Sequence, residues 1–213
     1  MNKELREKLM QIAKAEIPNH DVAHDYNHAL RVLFNAEKIA KKEGWDLDII
    51  IPAALFHDLV VYRKNDLYKH KSQEESAEKA VEIMKGLKNF PEDKIRKIKI
   101  CILDCSFSKG AIPHLLESKI LQDADGLEST GLFFIMRTFS CTGQIQRSFY
   151  DLLDPFCNSR KPDSSHYAWD LIYERVPVIV ERIHTKTAKN IARRRTNFLL
   201  KLLKEFKLEM AGK

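Results

Sequence analysis

The chain has 213 residues, of which 44% are hydrophobic and 31% charged, with a formal net charge of +6. That length supports a sizeable core within one domain, and that balance excludes a largely disordered chain. No apolar run reaches the roughly 18 residues of a membrane-spanning helix, so no membrane partner is expected.

The positive charge favours phosphorylated or anionic partners, although a solvated lysine-rich surface accounts for it as well. Nucleic-acid binding requires a patch, which net charge does not show. The four cysteines, Cys101, Cys105, Cys141 and Cys157, contain no CxxC pair. The N-terminus is polar and mixed in charge, without the pattern of a secretory leader. The expectation is a reduced, cytoplasmic protein.

Hydrophobic periodicity predicts an all-α chain. Leu5, Leu9, Ile12 and Ala13 form a first apolar stripe that ends at Pro18-Asn19. A second helix is predicted from near Tyr26 to Lys42, with Gly44 as its stop signal. Residues 49–62 are dense in apolar side chains and predict a central helix with Pro52 in its first turn. The strand propensity of Leu59-Val60-Val61 blurs its end.

Residues 72–86 predict another helix, opened by a capping box of Ser72 and Glu75. Pro91 begins a basic helix carrying Ile95, Ile98, Ile100 and Ile102. A polar loop through Gly110 leads to a helix from near His114 to Leu127. Gly131 to Phe139 is apolar and Gln144 to Leu153 mixed, without a clear periodicity. Residues 154–165 predict an irregular surface loop, not a domain linker, because helical patterning resumes at Tyr167. Thr187 to Met210 predicts a long, basic, amphipathic helix. The whole chain, residues 1–213, is therefore expected to be one helical domain.

Several polar residues sit on these apolar helices: His28, the pair His57-Asp58, and Asp125. Buried polar groups need partners. One divalent ion collecting imidazole nitrogens and carboxylate oxygens would serve all four. Mixed nitrogen and oxygen ligation suits manganese, iron, nickel, cobalt or zinc better than an all-sulfur site would. Taken alone, His28 also fits a satisfied core histidine, and Asp125 a cap or salt-bridge partner.

The order His28, His57-Asp58, Asp125 resembles the HD-domain metal-dependent phosphohydrolases. The likeness extends through His24-Asp25-Tyr26-Asn27-His28, Ala53-Ala54-Leu55-Phe56-His57-Asp58-Leu59, Glu74-Glu75-Ser76-Ala77 and Ser106-Phe107-Ser108. It continues through Glu117 to Leu127, Arg137-Thr138-Phe139 and Thr187-Ala188-Lys189, so it covers most of residues 20–210. The stretch ending in Gln122-Asp123-Ala124-Asp125 is similar to a branch of small stand-alone bacterial and archaeal hydrolases. Some of that branch resemble nucleotide pyrophosphohydrolases; others in the family are phosphomonoesterases, nucleotidases or phosphodiesterases.

The resemblance implies an HD-domain helical bundle holding a divalent metal on His28, His57, Asp58 and Asp125. Manganese is the first choice, with cobalt, nickel, iron, magnesium or zinc as alternatives. The metal would activate a water for attack on phosphorus. Asp58 is the carboxylate expected to orient that water, Glu75 a water-positioning or proton-transfer residue, and His24 a contact to a leaving oxygen or a phosphate. Lys64, Asp66, Lys119 and Arg137 are candidates for binding the substrate, a small phosphorylated molecule such as a nucleotide.

Each also has a bland role, as a loop, salt-bridge or packing residue. The same is true of Glu74, Tyr26, Tyr62, Phe133, Phe134, Phe139 and the Arg193-Arg194-Arg195 run. Two departures matter. Dinuclear relatives recruit histidines near Ser72-Gln73 and at Cys105, and their replacement here implies one tightly bound metal. Gly126 stands where the branch commonly has arginine, which removes one phosphate contact. Pyrophosphate release from a nucleoside triphosphate is the leading expectation. Phosphomonoester hydrolysis, or a catalytically weak nucleotide- or nucleic-acid-binding regulator, are the alternatives, and a homo-oligomer is compatible with all of them.

Overall fold

The computed structural model describes residues 1–63, 66–105, 110 and 112–213. Among them there are helices and one isolated bridge between Ser148 and Tyr167, but no β-sheet, so the all-α expectation holds. The chain divides into two compact units, Met1–Leu127 and Glu128–Lys213.

Among its described residues the first unit contains the α-helices α1 (Lys3–Glu16), α2 (Tyr26–Glu43), α3 (Leu47–Phe56), α4 (Ser72–Lys85), α5 (Glu92–Asp104) and α6 (Leu116–Gly126). Local chemistry sets several of their starts. The Asn2 side chain accepts from the Leu5 N–H at 2.8 Å, that of Asp25 from His28 at 2.8 Å, and that of Asp46 from Asp48 at 2.8 Å. Each satisfies a backbone donor that the first helical turn leaves open. Gly44 ends α2 at φ +88°, a left-handed turn that glycine adopts without steric cost.

The centre of this unit is α3. Every residue from Ile49 to Phe56 is buried. It packs against α1, α2, α4, α5 and α6, while α4 also covers α5 and α2 covers α6. A helix apolar on all sides is stable only when enclosed in this way. Each large side chain so buried contributes about 1.5–3 kcal/mol.

The predicted boundaries of α3 need correction. The helix starts at Leu47 and ends at Phe56, so Pro52 lies in its second turn and His57 only caps it. Lacking an N–H, Pro52 cannot bond the carbonyl of Asp48. The short helix then leaves His57 and Asp58 on the turn that follows, free of the 100° spacing that would separate neighbours on a regular helix.

The capping box at Ser72 does not form. Ser72 is already helical and its hydroxyl donates backwards to the Lys69 carbonyl at 3.0 Å. Glu75 accepts instead from the Tyr62 hydroxyl at 2.8 Å. A tertiary partner has taken the carboxylate that the local motif would have used. His114 likewise precedes α6 instead of opening it.

The second unit contains α7 (Gly131–Ile145), α8 (Ala168–Arg175) and α9 (Lys186–Met210). Its core gathers Phe134, Trp169, Ile172, Val176, Leu199 and Phe206. Trp169 stacks on Phe206 with ring centroids 4.2 Å apart. The apolar stretch that lacked a clear period is one helix to Ile145, where Gln146 turns left-handed.

Residues 154–165 carry no helix, and a dense hydrogen-bond set organises them. The Arg160 guanidinium donates to both carboxylate oxygens of the fully buried Asp170 and, at 3.1 Å, to the Asp154 carbonyl. Asp154 in turn accepts from the Asn158 and Ser159 N–H groups at 2.9 and 2.7 Å.

Candidate metal centre

Four residues from three helices of the first unit and their ends converge on one polar point. The Asp25 cap starts α2 so that His28 lies in its first turn, fully buried. The end of α3 delivers His57, and the next residue delivers Asp58. Asp125 comes from the last turn of α6.

The Nε2 atoms of His28 and His57 are 3.3 Å apart. One Asp58 oxygen stands 3.6 Å from His28 Nε2 and 3.5 Å from His57 Nε2. One Asp125 oxygen stands 3.4 Å and 4.0 Å from the same two atoms. Among the described residues, His28, His57 and Asp125 are the group whose ligand atoms all lie within 4.8 Å of one another.

The shorter of these spacings, 3.3 and 3.4 Å, are those of neighbouring donors on one metal. Donors about 2.1 Å from an ion stand about 3.0–3.4 Å from their neighbours in octahedral or tetrahedral coordination. The donor chemistry fits too. His57 Nδ1 lies 2.8 Å from the Ala54 carbonyl oxygen, which can only accept. Nδ1 therefore carries the proton, and Nε2 turns its lone pair toward the cluster. Two imidazoles and two carboxylates carry a charge that one divalent cation neutralises. Burial disfavours the Asp58 carboxylate, but the His57, His24 and His28 rings, when protonated, outweigh that and hold its carboxyl below the usual carboxylate range. The triad is a divalent-metal site.

Around it, His24 is brought close. Its ring centroid is 5.7 Å from that of His28, and its Nδ1 lies 2.7 Å from an oxygen of Asp21. Asp21 is buried and also accepts from the Ala23 N–H at 2.9 Å. The sequence reading missed Asp21. Its signal was the carboxylate three residues before a histidine, a spacing that one turn of chain can close. Ser76 ties α4 to the bend after Asp58, accepting from the Val60 N–H at 2.9 Å. Gln73, also missed, donates to the Ile102 and Leu103 carbonyls at the end of α5.

The other candidates fall in different places. Glu75 is half-buried against Tyr62, whereas Glu74 is exposed. Asp66 caps the short turn Leu67–Lys71, accepting from the Tyr68 N–H at 2.8 Å. Lys119 lies half-buried in the first turns of α6. Lys64 and the Ser106-Phe107-Ser108 motif lie outside the described residues. Arg137 belongs to α7 of the second unit, as do the aromatic candidates Phe133, Phe134 and Phe139; Phe134 is in its core. Arg193 and Arg194 are exposed on α9, and Arg195 packs its methylenes against Gly131. Cys105 is buried, and its thiol is pushed well above its ordinary range, first by burial and then by Asp125 and Asp58.

An all-helical fold with the metal-binding triad His28, His57 and Asp125 marks a metal-dependent hydrolase. The family model for the HD domain matches residues 25–130, and the chain belongs to the HD-domain family, in its metal-binding phosphohydrolase branch. It is 28% identical over 216 residues to YpgQ of Bacillus subtilis, covering 99% of this chain and 97% of that protein. Its fold is similar to that of a Lactobacillus plantarum protein, with a TM-score of 0.76 at 23% identity and all of both chains covered. It is also similar to Lin1889 of Listeria innocua, with a TM-score of 0.73 at 28% identity, covering 99% of this chain and 98% of that one. The structure of YpgQ in complex with ADP matches with a TM-score of 0.72 at 23% identity, covering 97% and 98% of the two chains. Among the described residues no helix is long and apolar enough to cross a membrane.

Proposed function

We propose that this phosphohydrolase acts on nucleoside triphosphates, releasing pyrophosphate, with a single manganese ion. The observation that carries the reading is the convergence of His28, His57, Asp58 and Asp125 on one point with donor spacings of a single ion. The nucleotide class is supported by YpgQ, whose structure was obtained with ADP. The mixed nitrogen and oxygen donor set supports manganese over a softer metal.

When bound, the ion polarises a phosphoryl oxygen and favours ionisation of a water beside it. The chain's own residues do the rest. Asp58 completes the donor set and orients the attacking water. Glu75, held by the Tyr62 hydroxyl, receives a proton from that water. His24, held by Asp21, hydrogen-bonds a phosphate oxygen next to His28. Lys64 and Lys119 supply charge to the remaining phosphates, and Asp66, which caps Leu67–Lys71, positions one of them.

The test is a panel of nucleoside tri-, di- and monophosphates with manganese, cobalt, nickel, magnesium and zinc, measuring pyrophosphate and orthophosphate separately. Pyrophosphate from triphosphates, greatest with manganese, is the expected result. Orthophosphate from monophosphates would replace the proposal with a nucleotidase. Nucleotide binding without either product would overturn hydrolysis of nucleotides altogether.

A further inference from the structure

The excess positive charge of the chain sits on its last helix. Eight of the 36 Lys and Arg residues and two of the 30 Asp and Glu residues belong to α9. That leaves α9 with a net +6, equal to the net charge of the whole chain, while the other residues balance at 28 cations against 28 anions. Both acids of α9, Glu205 and Glu209, lie near its C-terminus, so no acid interrupts residues 186–204.

Much of this charge falls along one line. Lys186, Asn190, Arg193, Asn197, Lys201 and Lys204 are exposed and succeed one another every three or four residues, which places them on one helix face. At about 1.5 Å per residue the stripe is about 27 Å long. Among the described residues, none of Lys186, Arg193, Lys201 and Lys204 forms an ion pair. A helix face that meets only water gains from Glu and Lys placed four residues apart and from both signs interspersed. Here like charges stand together instead. Lys189 and Arg193 are one turn apart, Lys201 and Lys204 are neighbours on the face, and Lys186 stands at the helix start, where the dipole disfavours a cation. A polyanion laid on this face relieves all three.

The rest of α9 narrows the choice of polyanion. Its apolar side is committed inward: Ala188, Ala192, Leu199 and Phe206 are buried, the last two in the core of the second unit. The helix therefore cannot sink an apolar face into a lipid surface. Phe198 and Leu200 are exposed, but they stand about 200° apart around the axis and flank the stripe on opposite sides. The stripe itself holds no aromatic ring on which the bases of a single strand could stack.

We infer that this face of α9 docks on the sugar–phosphate backbone of duplex DNA. A duplex carries one negative charge per about 1.7 Å of its axis, so each of the four stripe cations finds a phosphate within reach of its side chain. Asn190 and Asn197 donate amide hydrogens to phosphate oxygens between them. Such contacts hold a protein on the duplex without reading its bases, so the docking is independent of sequence. It stands independently of the nucleotide reading.

The test is the salt dependence of binding. A fluorescein-labelled duplex of about 20 base pairs is titrated with the protein, and anisotropy is read between about 50 and 200 mM NaCl. Four phosphate contacts give log Kobs against log[NaCl] a slope of about −3.6, so affinity falls about 150-fold over that range. Lys201→Gln with Lys204→Gln should make the slope shallower by about 1.8, and Arg193→Gln by about 0.9. Lys41→Gln with Lys42→Gln removes the same charge from the exposed end of α2 and should leave the slope unchanged. Duplexes of unrelated sequence should bind within about 3-fold of one another. Fluorescence of Trp169, which stacks on Phe206, checks that each variant is folded.

Absence of binding at the lowest salt would overturn the inference. So would an equal change of slope in the α2 pair, which would assign the binding to diffuse charge. Tighter binding to single-stranded DNA, to duplex RNA or to phosphatidylserine vesicles would name a different partner and overturn it as well.

Discussion

His57 Nδ1 lies 2.8 Å from the carbonyl oxygen of Ala54, three residues back on the same helix. That one bond decides which nitrogen the ring offers to the metal. It assigns the proton to Nδ1 and leaves Nε2 as the ligand atom. Nitrogen-15 NMR of the metal-free protein near neutral pH should find neutral His57 as the Nδ1–H tautomer. Added zinc should move its Nε2 resonance while Nδ1 keeps its proton. A ring protonated at Nε2 in the neutral protein would contradict this assignment.

Metal binding should also be visible as stability. An ion at about 100 times its dissociation constant stabilises the folded state by about 2.7 kcal/mol. For a chain of this length that is roughly 5–10 °C in Tm. The shift with manganese should vanish in His57→Ala and in Asp125→Ala, and turnover with it. An unchanged shift in both variants would place the bound metal elsewhere.

Asp21 holds His24 beside the cluster. Asp21→Asn keeps the size and the bond to the Ala23 N–H but weakens the hold on the imidazole. Turnover should fall by roughly 10-fold or more, while the manganese-induced thermal shift stays within experimental error. Loss of the thermal shift would mean that Asp21 supports the metal ligands themselves.

Phe56 is the last residue of α3 and fully buried, directly before His57. Phe56→Ala should cost about 3–5 kcal/mol by urea denaturation, from lost burial and the cavity left behind. It should also weaken manganese binding, because the ring helps anchor the turn that aims His57 and Asp58. A loss below about 1 kcal/mol would show that the site collapses to refill the space.

Acid should act on the second unit through its irregular segment. Backbone N–H groups of Ser159 and Asn158 hold the Asp154 carboxyl down to about 2, and the hydroxyl of Ser165 with His166 does the same for Asp163. Both values are lower folded than unfolded, so the stabilisation is complete above about pH 4 and is lost as pH falls toward 2. Trp169, packed on Phe206 in that unit, should report the change by fluorescence over this window. Asp154→Asn should make the transition shallower. An identical profile in the variant would remove Asp154 from the explanation.

Much of this molecule was legible before any contact was known. The helices from Tyr26 to Glu43 and from Lys186 to Met210 lie where apolar periodicity puts them, and Gly44 stops the first. The four residues around the metal point stood out once they were read as a pattern with the family's surrounding motifs. What spacing could not supply was partnership between distant residues. Glu75 looked like half of a local capping box, yet Tyr62, 13 residues away, holds it.

Asp104, which is buried, and His114, 2.8 Å from it, were only the end of one helix and the approach to the next. Arg160 was a charge in a stretch that read as plain loop, and Asp170 one on the helix that follows it. Periodicity and caps follow from torsion angles and neighbours within a turn, so the sequence carries them openly. The proton on His57, the partner of Glu75 and the burial of Asp104 and Asp170 depend on which helices enclose them. Those were decided when packing removed water and left each polar group to find its bond inside the protein.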